Sequence, residues 1–199
     1  MITGKIGEAG QFIHTWVVRG LVSTRLSPNV FTFLGFCVNI YAAFLFADGY
    51  FFRGALIVIL AGVFDLCDGP VARATNQVTA FGAFFDSVMD RYSDMALYIG
   101  ILVYYVRASS MLYVGLTALV VAGSLMTSYT RAKSESIIPS CKVGFLERAE
   151  RVVLIIIGGL FNHMGSVLWV IAIFSNLIVI HRCIYTWQQL RGLNSKMSR

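Results

Sequence analysis

The sequence predicts an all-α protein: an integral membrane bundle of six transmembrane helices, preceded by an amphipathic helix at the membrane interface. Hydrophobic residues make up 57% of the 199 residues and charged residues only 13%, whereas soluble domains carry roughly 25% charged residues. The mean hydropathy is +0.74, and several apolar stretches approach the roughly 20 residues that a bilayer-spanning helix needs. We expect a single membrane domain over residues 1–199.

The first predicted element is a juxtamembrane amphipathic helix over residues 9–26. Its apolar side chains recur at helical spacing, and Arg19 and Arg25 lie between them. This pattern is typical of a helix that lies on the membrane surface. Pro28 then interrupts the pattern and marks the first turn of the next helix.

Six membrane helices are expected to follow and to form a bundle over residues 30–188. Short connections with few charges join them at one end, whereas lysines and arginines concentrate at the other end. Because cytoplasmic segments retain positive charge, we expect both termini and the basic end to face the cytoplasm at the plasma membrane. This topology accounts for the net charge of +6 without a nucleic-acid partner. The expected helix bounds are 30–48, 54–73, 83–106, 111–132, 147–164 and 167–188.

Four aspartates in this apolar sequence form the strongest functional signal. They belong to the pattern D-x2-D-G-x2-A-R-x8-G-x3-D-x3-D, in which Asp65 and Asp68 end the second helix and Asp86 and Asp90 begin the third. Residues three or four apart share a helix face, and a short segment joins the two helices. The four carboxylates are therefore expected to meet at the cytoplasmic border. Ionisable groups are costly in a membrane, so such a cluster indicates function.

The carboxylate cluster predicts a metal site for phosphoryl chemistry. Four close carboxylates cannot all ionise without cations, and oxygen ligands favour hard ions over zinc. We expect Mg2+, with Mn2+ as an alternative, and two ions per site that clamp the entering and leaving oxygens. One alternative is that the acids form structural salt bridges with Arg73 and Arg91. Another is an ion pathway, but transport acids usually lie at the midplane of a repeated structure, and no repeat is visible.

Small and basic residues around the acids fit the same interpretation. Gly69 and Ala72 lie three apart on one helix face and leave room for a ligand against the backbone. Gly82 allows the third helix to begin in close packing, and Arg73 offers a guanidinium that binds phosphate through two nitrogens.

The complete pattern resembles the signature of the CDP-alcohol phosphotransferases, integral membrane enzymes of phospholipid synthesis. The resemblance implies that a phosphatidyl-type group passes from a CDP-linked lipid, such as CDP-diacylglycerol, to an alcohol, with release of CMP. It also implies a homodimer, and a metal site in which Asp90 serves as general base. The other implied metal ligands are Asp65, Asp68 and Asp86, and the implied CDP-lipid site comprises Gly69, Ala72, Arg73, Asn29, Thr32 and Gly82.

A second basic cluster bears on the acceptor alcohol. It joins the end of the fourth helix, residues 128–135, to the start of the fifth, residues 142–151. An arginine at the start of a helix is unfavourable, because its charge opposes the helix dipole. The presence of Arg148 and Arg151 there therefore needs another explanation, such as binding of an anionic acceptor. The competing explanation, which we weigh evenly, is the positive-inside rule with pairing to Glu147 and Glu150.

Two pieces of this cluster, S-Y-x-R-A-K-x-E and E-R-x-E-R, resemble the branch of the family that uses inositol phosphate. That branch comprises the phosphatidylinositol-phosphate and archaetidylinositol-phosphate synthases. Asp94 also matches it and is a candidate for contact with acceptor hydroxyls, although pairing with Arg91 is the plainer interpretation. The runner-up activity is phosphatidylglycerol-phosphate synthesis from glycerol 3-phosphate. The implied acceptor-binding residues are Ser128, Arg131, Arg148, Arg151 and Arg182.

Overall fold

The structure is a computed structural model that describes residues 27–74 and 77–197; the side chains of residues 66–71, 74 and 192–197 lie outside this description. Within the described residues the chain forms six helices and no strand, which confirms the all-α class. The amphipathic helix expected at 9–26 lies outside the described residues. The helices are α1 (Pro28–Ala47), α2 (Phe51–Ala74), α3 (Ala80–Arg107), α4 (Met111–Glu135), α5 (Arg148–Leu160) and α6 (Met164–Met197).

Three of these helices are long and apolar enough to cross a membrane: α1, α4 and α6, the last over Met164–Arg191. α2 and α3 carry the charged residues of the candidate site, and α5 has only 13 residues. Large apolar side chains on the qualifying helices, including Phe44, Leu119 and Ile173, are exposed, as lipid contact requires. The chain is therefore a membrane protein by its apolar helices, and six complete spans stay a prediction.

Three short turns close the end of the bundle opposite the candidate site. Each has one residue with positive φ just after a helix: Gly49 (82°), Ser109 (54°) and Asn162 (55°). In the first turn the Tyr50 amide donates to the Leu45 carbonyl at 2.8 Å, and the other two turns repeat this bond. Such left-handed caps satisfy the last carbonyls of a helix and reverse the chain within a few residues.

The last of these turns explains why the fifth helix is shorter than expected. The fifth helix was expected to reach residue 164 but ends at Leu160. The His163 amide donates to the Gly158 carbonyl at 2.8 Å, which ends the helix at the left-handed residue Asn162. The sixth helix was expected to end at 188 and instead continues to Met197.

The hydrophobic core lies in the half of the bundle nearest these turns. It contains Phe46, Tyr98, Ile101, Ile155 and Leu168, all almost fully buried. α1 packs against α2 and α3, α4 packs against α3 and α6, and α5 packs against α2 and α6. Packing at this end fixes the relative positions of the helices and leaves their other ends to form the site.

Two glycines set the closest helix crossings. A Cβ at Gly100 would overlap the backbone of Ala43, so α3 crosses α1 with backbones in contact. A Cβ at Gly159 would lie 2.8 Å from the Phe51 carbonyl oxygen, so α5 approaches α2 in the same way. These crossings place the polar ends of α2, α3 and α5 beside one another.

Candidate active site

Carboxylates from α2 and α3 converge on one guanidinium. Arg148 Nη2 lies 3.0 Å from Asp65 Oδ2, and Arg148 Nη1 lies 2.8 Å from Asp90 Oδ1. Asp86 lies one turn before Asp90 on α3 and lines a separate cavity. The side chain of Asp68 lies outside the described part of the chain. The structure therefore brings Asp65 and Asp90 together, as the spacing of the motif led us to expect.

The donor set fits a hard divalent cation. Among the described side chains, no group of three His, Cys, Asp or Glu residues has the geometry of a metal site. The carboxylates of Asp65 and Asp90 nevertheless share one positively charged partner, the Arg148 guanidinium. Oxygen atoms that already surround a positive charge are suitable ligands for Mg2+ or Mn2+. Asp65, Asp68, Asp86 and Asp90 therefore stay the predicted ligands of such an ion.

Asp94 joins both arginines at the start of α5. Its Oδ1 lies 3.3 Å from Arg148 Nε, and its Oδ2 lies 3.2 Å from Arg151 Nη2. The expected Asp94–Arg91 pair is therefore wrong: Arg91 donates to the backbone carbonyl of Ser87, one turn earlier on α3. The buried Asp94 instead finds charge partners on another helix, where two guanidinium groups offset its desolvation.

Glu147 has partners other than those expected for it. Its Oε1 lies 2.8 Å from Arg131 Nη1 and 3.9 Å from Arg182 Nη2. The alternative that Arg148 and Arg151 are held by Glu147 and Glu150 is therefore wrong, because their ion pairs go to aspartates on α2 and α3. The two arginines at the start of α5 serve the carboxylate cluster.

A basic cavity of about 360 Å³ lies between α3, α4, α5 and α6. Asp90 and Asp94 line its wall on α3. We call it the arginine cavity, because five arginines of the described part of the chain line it together with four carboxylates. All five predicted acceptor-binding residues line it: Ser128, Arg131, Arg148, Arg151 and Arg182.

Arg182 also fastens the connection between α4 and α5. Its Nε donates to the Val143 carbonyl at 2.9 Å, and its Nη1 donates to the Thr127 carbonyl. The side chain is almost fully buried. Arg182 therefore holds the wall of the arginine cavity as well as lining it.

A second cavity, of about 290 Å³, lies on the other side of Asp86. We call it the capping cavity, because it contains Thr79, whose Oγ1 accepts from the Gly82 amide at 2.9 Å and caps the N-terminus of α3. A helix N-terminus favours anionic groups such as phosphates. Four of the six residues predicted to bind the CDP-lipid line this cavity: Thr32, Ala72, Arg73 and Gly82.

Asn29, another predicted CDP-lipid residue, is not among the residues that line the capping cavity. Asn29 lines an adjoining apolar cavity of about 230 Å³, together with Phe33, Phe81 and other apolar residues of α1 and α3. Asn29 is nonetheless close to the capping cavity, since a Cβ at Gly82 would lie 3.3 Å from its Oδ1. No side-chain description covers position 69.

Several residues of the site were not predicted. Thr127 receives a hydrogen bond from Arg151 Nη1 at 3.2 Å, and a Cβ at Gly35 would lie 2.8 Å from Asp65 Oδ1. Neither residue has a sequence signal, because both act through contacts between helices distant in the chain. Thr79 does have one: a threonine three residues before Gly82 at the start of an apolar run is typical of a helix N-cap.

The two cavities flank a single turn of α3. Asp86 lines the capping cavity and Asp90 lines the arginine cavity, and four residues of helix separate them by about 6 Å. Groups bound in the two cavities would therefore meet at this pair of carboxylates. The arrangement suits transfer of a phosphate-containing group from one anionic molecule to another.

Residues 25–184 match the family model of the CDP-alcohol phosphatidyltransferases. The chain belongs to this family. It is therefore an enzyme, a CDP-alcohol phosphotransferase, and the resemblance of the aspartate motif to that signature is confirmed.

Similar proteins include two kinds of inositol phosphate synthase. The archaetidylinositol phosphate synthase of Methanothermobacter thermautotrophicus is 38% identical over 83% of this chain and 86% of its own length. The phosphatidylinositol phosphate synthase of Mycobacterium tuberculosis is 31% identical over 88% of this chain and 86% of its own length.

Solved structures of the Mycobacterium tuberculosis synthase share this fold. The form with CDP-DAG bound has a TM-score of 0.81 at 30% identity, covering 88% of this chain and 94% of that one. The complex with manganese and citrate also has a TM-score of 0.81, covering 87% of this chain and 88% of that one. The helical architecture of this CDP-alcohol phosphotransferase is thus shared with an enzyme crystallised with a CDP-lipid.

Proposed function

We propose that this CDP-alcohol phosphotransferase transfers a phosphatidyl-type group from a CDP-linked lipid to a hydroxyl of inositol phosphate and releases CMP. The observation behind this proposal is the arginine cavity, which places Arg131, Arg148, Arg151 and Arg182 beside Asp90. The names of the similar inositol phosphate synthases support the same acceptor.

The capping cavity suits the donor. Arg73 lies on its wall, and the N-terminus of α3 lies at its edge, so two sources of positive potential face the space. The apolar cavity beside Asn29 continues from it along α1 and α3. A CDP-lipid would place its diphosphate in the capping cavity and its chains toward the apolar surface.

The arginine cavity suits a phosphorylated acceptor. Guanidinium groups bind phosphate oxygens through paired hydrogen bonds, and Arg131 and Arg148 both line the cavity with partly exposed side chains. Among the described residues, five arginines and four carboxylates line the cavity, and a phosphorylated acceptor would bring a further anion to these guanidinium groups, whereas neutral inositol would not and zwitterionic serine brings no net charge. The charge of the cavity therefore favours inositol phosphate, and it also admits glycerol 3-phosphate.

The chemistry is a displacement at the phosphorus that bears the lipid. Asp90 accepts the proton of the acceptor hydroxyl; the acceptor oxygen then forms a bond to this phosphorus, and the bond between the phosphorus and CMP breaks. Asp65, Asp68, Asp86 and Asp90 would hold the divalent cations, proposed as two Mg2+ or Mn2+ ions, and this bound charge would neutralise the diphosphate and CMP. Arg148 and its neighbours orient the acceptor, which is most of what such a transfer requires of the protein.

The setting of this reaction is the plasma membrane, with the site on the cytoplasmic side and both termini in the cytoplasm. Most basic residues of the described helices lie at the end that carries both cavities, in keeping with the positive-inside rule, whereas Arg53 and Arg107 lie at the opposite end. A homodimer is part of the proposal and rests on the family resemblance.

Release of CMP by the purified enzyme tests this function. The enzyme is incubated with CDP-diacylglycerol and Mg2+, and the acceptors compared are inositol phosphate, glycerol 3-phosphate, serine and free inositol. We expect release with inositol phosphate, and a lipid product that carries two phosphates. Release with glycerol 3-phosphate alone would identify a phosphatidylglycerol-phosphate synthase instead.

Removal of divalent cations tests the metal requirement. Excess chelator is expected to stop CMP release, and Mg2+ or Mn2+ added beyond the chelator is expected to restore it. Undiminished activity in excess chelator would refute the metal site.

A further inference from the structure

The guanidinium of Arg148 uses all three of its nitrogens on three different carboxylates. Nη1 contacts Asp90 at 2.8 Å, Nη2 contacts Asp65 at 3.0 Å, and Nε contacts Asp94 at 3.3 Å. Two of these partners, Asp65 and Asp90, are proposed metal ligands, and we call the side of the guanidinium that contacts them, Nη1 and Nη2, the Nη edge. The third partner, Asp94, lies outside the proposed metal set, and we call the side that contacts it the Nε edge.

The Nε edge is firmly held. The side chain of Asp94 is only 8% exposed, and its second oxygen binds Arg151 Nη2 at 3.2 Å. Arg151 in turn donates through Nη1 to Thr127 Oγ1 on α4 and to the Leu146 carbonyl before α5. Asp94 is therefore fixed to three parts of the chain, and it fixes Arg148 in turn.

The Nη edge competes with a metal ion. The same oxygens of Asp65 and Asp90 would serve both the guanidinium and a divalent cation, and two positive groups that close repel each other. A cation bound there would displace Nη1 and Nη2. Since Arg148 also lines the arginine cavity, the displaced nitrogens have an anionic acceptor as their next available partner.

We propose that Asp94 is a positioning residue: it holds Arg148 through Nε, so that metal binding at Asp65 and Asp90 transfers the Nη edge of Arg148 from these carboxylates to the phosphate of the acceptor. This inference rests on the proposed function, because it needs both the metal site and the phosphorylated acceptor. It implies that metal and acceptor bind with positive coupling, and that each raises the affinity for the other by the same factor.

Binding of Mn2+ to the purified enzyme without substrates tests the competition. The free Mn2+ signal in electron paramagnetic resonance gives the dissociation constant for wild type and for Arg148→Gln. Removing a cation within about 4 Å changes the affinity of carboxylates for a positive partner by about tenfold or more, so Arg148→Gln is expected to bind Mn2+ at least about tenfold more tightly. The matched control is Arg131→Gln, which removes the same charge from the same cavity but from a side chain paired with Glu135 and Glu147. Its affinity is expected to stay within about twofold of wild type.

The outcomes separate this inference from the proposed function. If wild type binds Mn2+ and Arg148→Gln binds it equally or more weakly, the competition is refuted while the metal site stands. If wild type binds no Mn2+, the competition and the proposed metal site are both refuted.

The coupling is measured in the same titration: inositol phosphate is expected to tighten Mn2+ binding in wild type and to have no effect in Arg148→Gln. Equal tightening in both would refute the transfer of Arg148 to the acceptor.

Asp94→Asn tests the positioning role. We expect the KM for inositol phosphate to rise by about tenfold or more and the KM for the CDP-lipid to stay within about twofold, because only the acceptor contact depends on Arg148. Asp94→Glu retains the charge and is expected to recover part of the acceptor affinity. Equal rises in both KM values would point to a merely structural role and would overturn the assignment. The Mn2+ titrations decide the competition and the coupling even if Asp94→Asn does not fold, and the two KM values of Asp94→Glu then test the positioning role.

Discussion

Asp90 and Asp94 lie one turn apart on α3, yet their environments differ. Asp90 has one described charge partner, Arg148, and its side chain is 20% exposed to the arginine cavity. Asp94 is held by two arginines and is almost fully buried. This difference in exposure is consistent with the proposed roles, in which Asp90 accepts a proton from the acceptor hydroxyl and Asp94 positions Arg148.

Asp90→Asn is expected to lower the rate of CMP release by about 10²–10⁴-fold, because the amide cannot accept the proton. Binding of the CDP-lipid, measured by isothermal titration calorimetry, is expected to persist. The matched control is Asp48→Asn at the opposite end of the bundle, where the exposed Asp48–Arg107 pair has no part in the site. Wild-type turnover in Asp90→Asn would remove Asp90 as the base.

Gly35→Ala is expected to reduce activity more than stability. The new methyl group would lie 2.8 Å from Asp65 Oδ1, the end of a flexible side chain that is able to move. The displaced carboxylate would leave its productive position, and misplacement of this size costs about 10²-fold in rate. Gly62→Ala is the control, because a Cβ there meets nothing within 4 Å. A large drop in the melting temperature of Gly35→Ala, with activity lost in proportion, would contradict this explanation.

For individual residues, the sequence allowed us to predict which side chains belong to the site better than which side chains contact one another. Intervals of three and four residues, with a short connection between the two helices, led us to expect that all four aspartates converge. The structure brings Asp65 and Asp90 to one guanidinium, and Asp86 lines another cavity. The partners of Arg148 were not predicted, because Asp65 lies 83 residues away in the chain and Glu147 is adjacent. A single sequence shows near neighbours and gives no sign of contacts between distant helices.

Among the helices, α3 supplies most of the site. It carries Asp86, Asp90 and Asp94 on successive turns, begins at the Thr79 cap, and crosses α1 at Gly100. The site therefore depends on the register of α3 against α1. A shift of α3 by one residue would rotate its carboxylates by about 100° away from α2 and α5.

Gly100→Ala is expected to destabilise the protein by about 1–3 kcal/mol or more, because its methyl group would meet the backbone of Ala43, which has no room to move. Thermal unfolding in detergent measures the effect. Gly115→Ala on α4 is the comparison: a Cβ there meets nothing within 4 Å, and alanine favours a helix by up to about 1 kcal/mol over glycine. Equal melting temperatures for the two variants would show that α1 and α3 can move apart at this crossing without loss of stability.

The helices themselves were largely predictable, and the end of α5 was not. Long apolar runs between polar connections predict helices because the chain must satisfy its own backbone groups in a membrane. The turn at Asn162 depends on a non-glycine residue adopting a left-handed conformation, for which asparagine is only moderately favoured. The apolar run therefore suggested a longer fifth helix than the structure has.

At the scale of the whole molecule, all three left-handed turns lie at one end and both cavities at the other. The proposed orientation places the turns outside the cell and the cavities inside. The positive charge beside the cavities supports this orientation, since arginines and lysines are retained on the cytoplasmic side.

Cysteine labelling in intact cells tests the orientation. In a background without the four native cysteines, a membrane-impermeant maleimide is expected to label Ala108→Cys before lysis, because this exposed residue lies in an outer turn. Ser140→Cys, exposed in the connection between α4 and α5, is expected to react only after lysis. The reverse labelling pattern would show that the protein has the opposite orientation in the membrane.

The shortness of α5 has a consequence for the lipid around the enzyme. Its 13 residues rise about 20 Å, whereas the hydrocarbon core of a bilayer is about 30 Å thick. With its last turn at the outer surface, Arg148 would lie about 10 Å beneath the inner one. Such a mismatch would thin the leaflet or admit water beside the helix, and either would give the proposed sugar phosphate acceptor a path to the reacting phosphorus. The chains of the proposed donor would then stay in their leaflet, and the product would form at the depth where it resides.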